Sequence, residues 1–476
     1  FFRKYLGVIY RFFKRSCRRS YRFFRKYLGV IYRFFKRSCR RSYRFFRRTQ
    51  AAIILKGISL HDKKLFKHIS SYGVDNTGVN IEPYIPQIIL KLTIKERRYI
   101  YSLFSKGKIV EAFSDLNKLL SPVNVSPKAK DMVSRVLSIV TYANTDFPLV
   151  KRSKKQLYQP RKDHVFYLLH MRAPIIKNGY VSRSSAILDV IIRAGHSVVG
   201  ATRPGFPNEL QAYREVKIKD VETVDNVLFY SLPDHANNLI NTPIDHFILN
   251  YADEIAKVAK KEKPEIIHAA SNYINGLAAI IAARRLGVRS VYEVRGLWHI
   301  TRESREDRYS STLKYALEER MEILAVKEAD RVIVISEGLR QYFIRAGADE
   351  DKLTVVPNGV DGSKFIPIEE NRGLAKKLNI KKTDIVIGYV GSIVDYEGLD
   401  LVLRAVSELT KRGFDDIKLL IVGGGAAEAS LKGLMNELGL QDVCIFAGLV
   451  SKEEVNAYYS LIEITPFARK SLPVTK

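Results

Sequence analysis

From His164 to the end of the chain, short apolar runs alternate with segments of helical spacing, and this alternation restricts the fold more than any other feature. VFYLLH, SVVGAT, PEIIHAA, SVYEVRG and RVIVIS are strand-length and rich in β-branched or aromatic residues. Helical spacing between them covers about Ser182–Ala194, Asp245–Lys261, Gly276–Leu286 and Tyr309–Glu328. Strands joined through helices predict parallel pairing, because a parallel connection must run back along the sheet. The turn-rich VVPNGVD at 355–361 interrupts the series. A second series begins at Asp384 with DIVIGYVGS, KLLIVGGG, VCIFAGL and LIEITPF. The predicted class is α/β, with two doubly wound domains at 161–361 and 362–476 facing a cleft.

The chain upstream reads differently. Residues 49–160 predict a helical region, with a hairpin over Ile94–Leu120 broken near Gly107. Pro122, Pro127 and Pro148 then punctuate a polar run through Lys151–Lys155 to Pro160, which reads as a linker. Residues 1–22 recur unchanged as 23–44. The arm 1–48 carries 18 Lys or Arg and no acid, whereas the remaining chain carries 61 basic and 50 acidic residues. The net charge of +29 is therefore concentrated in the arm. At about 100° per residue, Phe2, Leu6, Ile9, Tyr10 and Phe13 fall on one half of a helix and the arginines on the other. A basic amphipathic helix with a bulky apolar half suits an anionic membrane surface, and no nucleic-acid partner is expected. The apolar run around Leu277–Ala283 is too short to cross a membrane. Cys17, Cys39 and Cys444 lack paired or metal-like spacing, which predicts a reduced, cytoplasmic protein.

Ligands of open parallel sheets gather at the carboxyl ends of strands, where helix starts offer free N–H groups to anions. The segments in those places are HMRAPIIKNGYVSR (170–183), TRPGFP (202–207), YEVRGLW (292–298), ADRVIVISEGLR (329–340), GYVGSIVDYEGLD (388–400) and IVGGG (421–425). Their order and spacing resemble the retaining family 4 glycosyltransferases of two Rossmann-like domains (the GT-B fold). NGYVSRS, TRPGFP and EVRGLW resemble the branch of exopolysaccharide and capsule assembly. The resemblance implies transfer of a sugar from a UDP- or GDP-sugar to a cell-surface glycan or lipid-linked acceptor. It implies neither a metal nor a cofactor. It places Asn178 and Gly179 beside the donor phosphates, with Gly391 and Ser392 opening the matching loop of the second domain. Gly423, Gly425, Gly448, Leu449 and Val450 would border the nucleoside.

Some positions depart from the family. An Arg after the loop glycine and a Lys a few residues on are replaced by Ser392 and Glu397. Arg295 stands where the family places a sugar-contacting histidine, so it is the implied catalytic residue, ahead of His299. Arg469 and Lys470 are candidates for positive charge at the donor site. The family's two glutamates, seven residues apart, fall beyond Lys476, so the second domain is expected to be incomplete and activity impaired as written. The competing expectation is a non-enzymatic, membrane-associated interaction protein on a glycosyltransferase remnant. The expected location is the inner face of the cytoplasmic membrane.

Overall fold

The computed structural model describes residues 94–105, 108–120, 127–176, 178–234, 242–306, 308–363, 365–451 and 453–475, with isolated positions elsewhere. The arm 1–48, with its expected amphipathic helix and membrane contact, lies outside the described residues. The chain divides into two compact units, Phe1–Leu137 and Ser138–Lys476.

In the first unit the predicted hairpin is present as α1 (Ile94–Ser105) and α2 (Ile109–Leu120). Ala112, Phe113, Leu116 and Leu120 are buried, the single stripe that helical spacing dictates. The stretch read as a linker contains a further helix, α3 (Pro127–Asn144). Pro127 is its first residue, where the missing N–H costs nothing and the fixed φ suits a helix.

The second unit opens with an eight-stranded sheet in the order β3-β4-β2-β1-β5-β6-β7-β8. The strands are β1 (His164–Leu169), β2 (Ser197–Thr202), β3 (Val221–Val224), β4 (Val227–Ser231), β5 (Ile266–Ala270), β6 (Arg289–Val294), β7 (Arg331–Val334) and β8 (Leu353–Val355). All neighbours pair in parallel except β3 with β4. That antiparallel hairpin was not expected from the sequence. It turns on Asp225 and Asn226, both at positive φ, the backbone that a two-residue hairpin turn needs. Connecting helices are α4 (Gly179–Arg193), α5 (Ile244–Glu262), α6 (Tyr273–Leu286), α7 (Trp298–Glu303), α8 (Leu313–Glu328) and α9 (Glu337–Arg345). The apolar run at 277–283 belongs to α6, which is buried on nearly every side.

A smaller sheet of order β11-β10-β9 follows, formed by β9 (Ile385–Val390), β10 (Ile417–Val422) and β11 (Cys444–Gly448), all parallel. The segment LIEITPF contributes an isolated parallel bridge, Ile464 to Ile387, rather than a full strand. The helices here are α10 (Arg372–Lys377), α11 (Leu399–Lys411), α12 (Glu428–Glu437) and α13 (Val455–Tyr459). On α11 the buried residues Leu399, Val402, Leu403 and Val406 repeat at three and four and pack with Leu419 and Ile421 of β10. The second domain is thus doubly wound like the first, and smaller.

Glu322 of α8 holds the start of α6. Its carboxylate accepts from the Tyr273 backbone N–H at 3.1 Å and from the Tyr292 hydroxyl. Burial lifts its pKa to about 7 despite both donors. The folded chain therefore keeps a proton on Glu322 that the unfolded chain releases near pH 4.5. Stability from this group is complete below that value and lost as pH rises through about 7, by up to about 3 kcal/mol. Urea unfolding of Glu322→Gln should show this fall removed and the variant the more stable at pH 8. Parallel pH profiles of variant and parent would contradict the assignment.

Candidate active site

The sheet order places β1 between β2 and β5, so the connections leaving β1 and β5 diverge. This is the switch point at which open α/β sheets bind ligands. The Asn178–Gly179 loop lies there, between β1 and α4. Asn178 caps α4, its side-chain oxygen accepting from the Val181 N–H at 3.0 Å. Its amide nitrogen faces Met171 Sδ at 3.2 Å. The first backbone N–H groups of a helix have no partner within it, so Gly179 and Tyr180 supply donors at this end. A side chain added at Gly179 would meet nothing within 4 Å. The glycine therefore leaves open space rather than relieving an internal clash.

Arg295, after β6, has a side chain only 6% exposed, with its guanidinium fully engaged. Nε donates to Glu293 Oε1 at 2.9 Å, and Nη2 donates to Glu293 Oε2 at 3.2 Å and the Tyr167 hydroxyl at 3.0 Å. Nη1 donates to the Tyr180 carbonyl at 3.1 Å and Ser184 Oγ at 2.6 Å. The group also lies over the Tyr180 ring, 4.7 Å from its centroid. A guanidinium has five N–H groups, and here each has a protein partner. Arg295 thus joins β6 to the first turn of α4. Glu293 also accepts from the Tyr167 hydroxyl and lies 3.2 Å from Arg183 Nη2 and 3.4 Å from His268 Nε2. Burial opposes its charge, but His268 and Arg295 outweigh burial and hold its pKa well below the usual carboxylate range. Burial likewise opposes the Arg295 charge, and Tyr167 and Glu293 outweigh it. His299 is buried edge-on to Tyr315, and burial lowers its pKa to about 4.

In the second domain the loops after β9, β10 and β11 are stitched by backbone hydrogen bonds. Gly391 N–H donates to Val422, Ile393 N–H to Gly424, and Gly423 N–H to Gly448. A Cβ on Gly423 would collide with the Gly391 carbonyl, and one on Gly425 with that of Ile393. The close approach these glycines permit is therefore of loop to loop. Ser392 is exposed and its carbonyl accepts from the Tyr389 hydroxyl at 3.0 Å. Leu449, 83% exposed, and Val450 follow Gly448 at the same edge.

Arg469 and Lys470 are each paired. Arg469 Nε donates to Glu397 Oε2 at 2.9 Å, and Lys470 Nζ lies 3.1 Å from Asp400 Oδ1. The Lys470 backbone N–H donates to the Tyr396 carbonyl at 3.0 Å.

The structure thus gathers the expected residues into two groups, one at the Gly179 end of the first sheet and one at the glycine loops of the second. Sequence reasoning did not single out Arg183 and Glu293. Glu293 lies near the end of β6 and Arg295 directly after it, and a charged pair two residues apart at the end of a buried strand was the available signal.

Comparison with known proteins matches residues 187–364 to the family described as Glycosyltransferase Family 4 and residues 371–471 to Glycosyl transferases group 1. The chain is 31% identical over 179 residues to a capsular polysaccharide biosynthesis glycosyltransferase, CapM, of Staphylococcus aureus. That match covers 36% of this chain and 44% of the relative. It is 28% identical over 138 residues to a GDP-mannose-dependent alpha-(1-6)-phosphatidylinositol monomannoside mannosyltransferase of Mycolicibacterium smegmatis, covering 29% and 36%. The chain spans less than half the length of these curated relatives. A sucrose-phosphate synthase of Thermosynechococcus elongatus shares the fold, with TM-score 0.52 and 18% identity over 65% of this chain and 76% of that one.

Proposed function

We propose that this chain, which carries two glycosyltransferase domains in series, moves a sugar from a nucleoside-diphosphate sugar to a hydroxyl of a cell-surface glycan or lipid-linked acceptor. The observation that carries the reading is the pairing of the open, helix-starting Gly179 loop with a second domain whose three loops are held together by glycine contacts. In the transfer, the bond from the anomeric carbon to the diphosphate oxygen breaks and one to the acceptor oxygen forms. The acceptor proton passes to solvent. Negative charge grows on the departing diphosphate, and N–H donors fixed in advance stabilise it. Asn178, Gly179, Gly391 and Ser392 would lie along the phosphates, and Gly423, Gly425, Gly448, Leu449 and Val450 along the nucleoside. Arg295 would act by fixing the Gly179 helix to β6. Retention of configuration without a metal comes to the proposal from the family resemblance.

The donor would be a UDP- or GDP-sugar, and the GDP-mannose-dependent relative supports the second. The capsular relative supports an acceptor in polysaccharide assembly. Relatives named as transferases over these residues favour catalysis over the non-catalytic alternative. No helix among the described residues is long and apolar enough to cross a membrane. Attachment to the inner face of the cytoplasmic membrane would fall to residues 1–48, on the strength of their amphipathic sequence.

One experiment addresses both halves. The chain is assayed for release of UDP or GDP from a panel of nucleotide sugars, with a lipid-linked glycan acceptor on anionic or neutral vesicles. Release should require a nucleotide sugar, and the chain should sediment with anionic vesicles at low salt. Gly179→Val should cut release at least tenfold with the unfolding midpoint unchanged, because the added side chain enters open space. No release or binding with any UDP- or GDP-sugar would overturn the reading, and equal release by the variant would displace Gly179 from the phosphates.

A further inference from the structure

The turn between β9 and α11 carries an acid where a phosphate-binding cation was expected, and the structure shows what that acid holds. Glu397, with its side chain 11% exposed, accepts from Nε of Arg469, whose own side chain is 56% exposed. Engagement at Nε leaves the outer face of the guanidinium available to a second anion. The seat is built from both sides. Gly398 adopts φ +73°, and a Cβ there would collide with the Ala468 carbonyl. The Lys470 N–H is bound to the Tyr396 carbonyl, and Lys470 pairs with Asp400. Residues 468–470 are therefore locked onto turn 395–400, 72 residues earlier in sequence.

The position also fits. Tyr389 donates to the Ser392 carbonyl and lies under Gly391, and the turn 395–400 that seats Arg469 follows this loop directly in the chain. Tyr396 faces the first domain, with the Arg305 guanidinium 5.7 Å from its ring centroid. Arg469 thus stands beside the Gly391–Ser392 loop, on the part of the second domain that meets the first.

We propose that Glu397 is a positioning residue that holds Arg469 toward the diphosphate of the donor, so that a cation from the segment after β11 and α13 replaces one absent from the turn itself. The inference rests on the nucleotide-sugar reading above. Glu397 does not repel the ligand, because its charge is neutralised by the arginine it orients.

The test is calorimetric binding of UDP, GDP, UMP and GMP to the full chain. The parent should prefer diphosphate over monophosphate for at least one base. Arg469→Ala should weaken diphosphate binding about 30-fold and remove most of that preference while leaving monophosphate affinity nearly unchanged. Glu397→Gln should weaken diphosphate binding about fivefold in the parent, and should not weaken it further in the Arg469→Ala background, where the acid has lost the partner that neutralises it. Placing the cation on the turn, in Glu397→Lys with Arg469→Ala, should restore diphosphate preference in a protein whose binding certifies its folding. Equal losses for mono- and diphosphate would reduce the pair to a structural brace. So would additive effects of Glu397→Gln and Arg469→Ala, or failure of the lysine to rescue. A parent that binds none of the four nucleotides would overturn the nucleotide-sugar reading itself, whereas a parent with diphosphate preference indifferent to both residues would overturn only this inference.

Discussion

Arg295→Ala should lower the stability of the chain by about 3–5 kcal/mol and abolish nucleotide-sugar turnover with it. Removing one partner of a buried ion pair leaves the other charge uncompensated, and costs of that size follow. Glu293, only 2% exposed, would lose the two guanidinium bonds it receives. Arg183 and His268 would remain near it, which argues for the lower part of the range. The Tyr180 carbonyl, Ser184 Oγ and the Tyr167 hydroxyl would each lose a donor as well. Urea unfolding at pH 7.5 measures the difference. Its pH dependence has a fixed sign. Glu293 has a depressed folded pKa, so its contribution is full above the unfolded carboxylate's value and lost as pH falls toward the folded one. The gap between parent and variant should therefore narrow in acid. Arg295→Lys should recover only part of the loss, since an ammonium cannot serve both edges of Glu293 and reach α4. A stable Arg295→Ala that has lost turnover would instead place the guanidinium in contact with the sugar, as the family resemblance implies.

How much of this was legible in the sequence depends on how far apart the partners lie. Strands β1, β2, β5, β6, β7 and β9–β11 follow from short apolar runs set between segments of helical spacing, whereas β8, only three residues long, ends in the stretch that reads as a turn-rich connector. The β3–β4 hairpin did not show, since β3 is short and partly exposed and presents no apolar alternation. Pro127 was read as a breaker because proline at the first position of a helix looks locally like proline in a linker.

The site was legible as loops and illegible as contacts. Arg295 could be placed at a strand end, but Ser184 lies 111 residues earlier, and only the folded chain shows that α4 takes up its guanidinium. Glu397 read as a departure for the same reason, since its partner Arg469 arrives from another strand's exit. The glycines of IVGGG suggested an approaching ligand, and what approaches Gly423 and Gly425 in the structure is the neighbouring loop.

That last contrast sets an order among three glycines that sequence alone would treat alike. Gly423 has φ +134° and no room for a side chain, because the Gly391 carbonyl occupies the place of its Cβ. Gly448 has φ +76° with open space around it, and Gly179 has neither constraint. Alanine at Gly423 must adopt a backbone foreign to L-residues and push apart loops joined by Gly391–Val422 and Gly423–Gly448 hydrogen bonds. Strain and overpacking together put its cost at about 3 kcal/mol or more. Alanine at Gly448 incurs only the left-handed penalty, about 1–2 kcal/mol. Alanine at Gly179 should stay within about 0.5 kcal/mol of the parent, as exposed substitutions usually do. Chemical unfolding of the three variants should return the order 423, 448, 179, and UDP or GDP affinity should fall furthest for Gly423→Ala, whose displaced carbonyl carries the Gly391–Ser392 loop with it. A Gly423→Ala protein as stable as Gly179→Ala would mean that the loops after β9 and β10 are not packed against each other, and the donor site of the second domain would then have to be sought elsewhere along its edge.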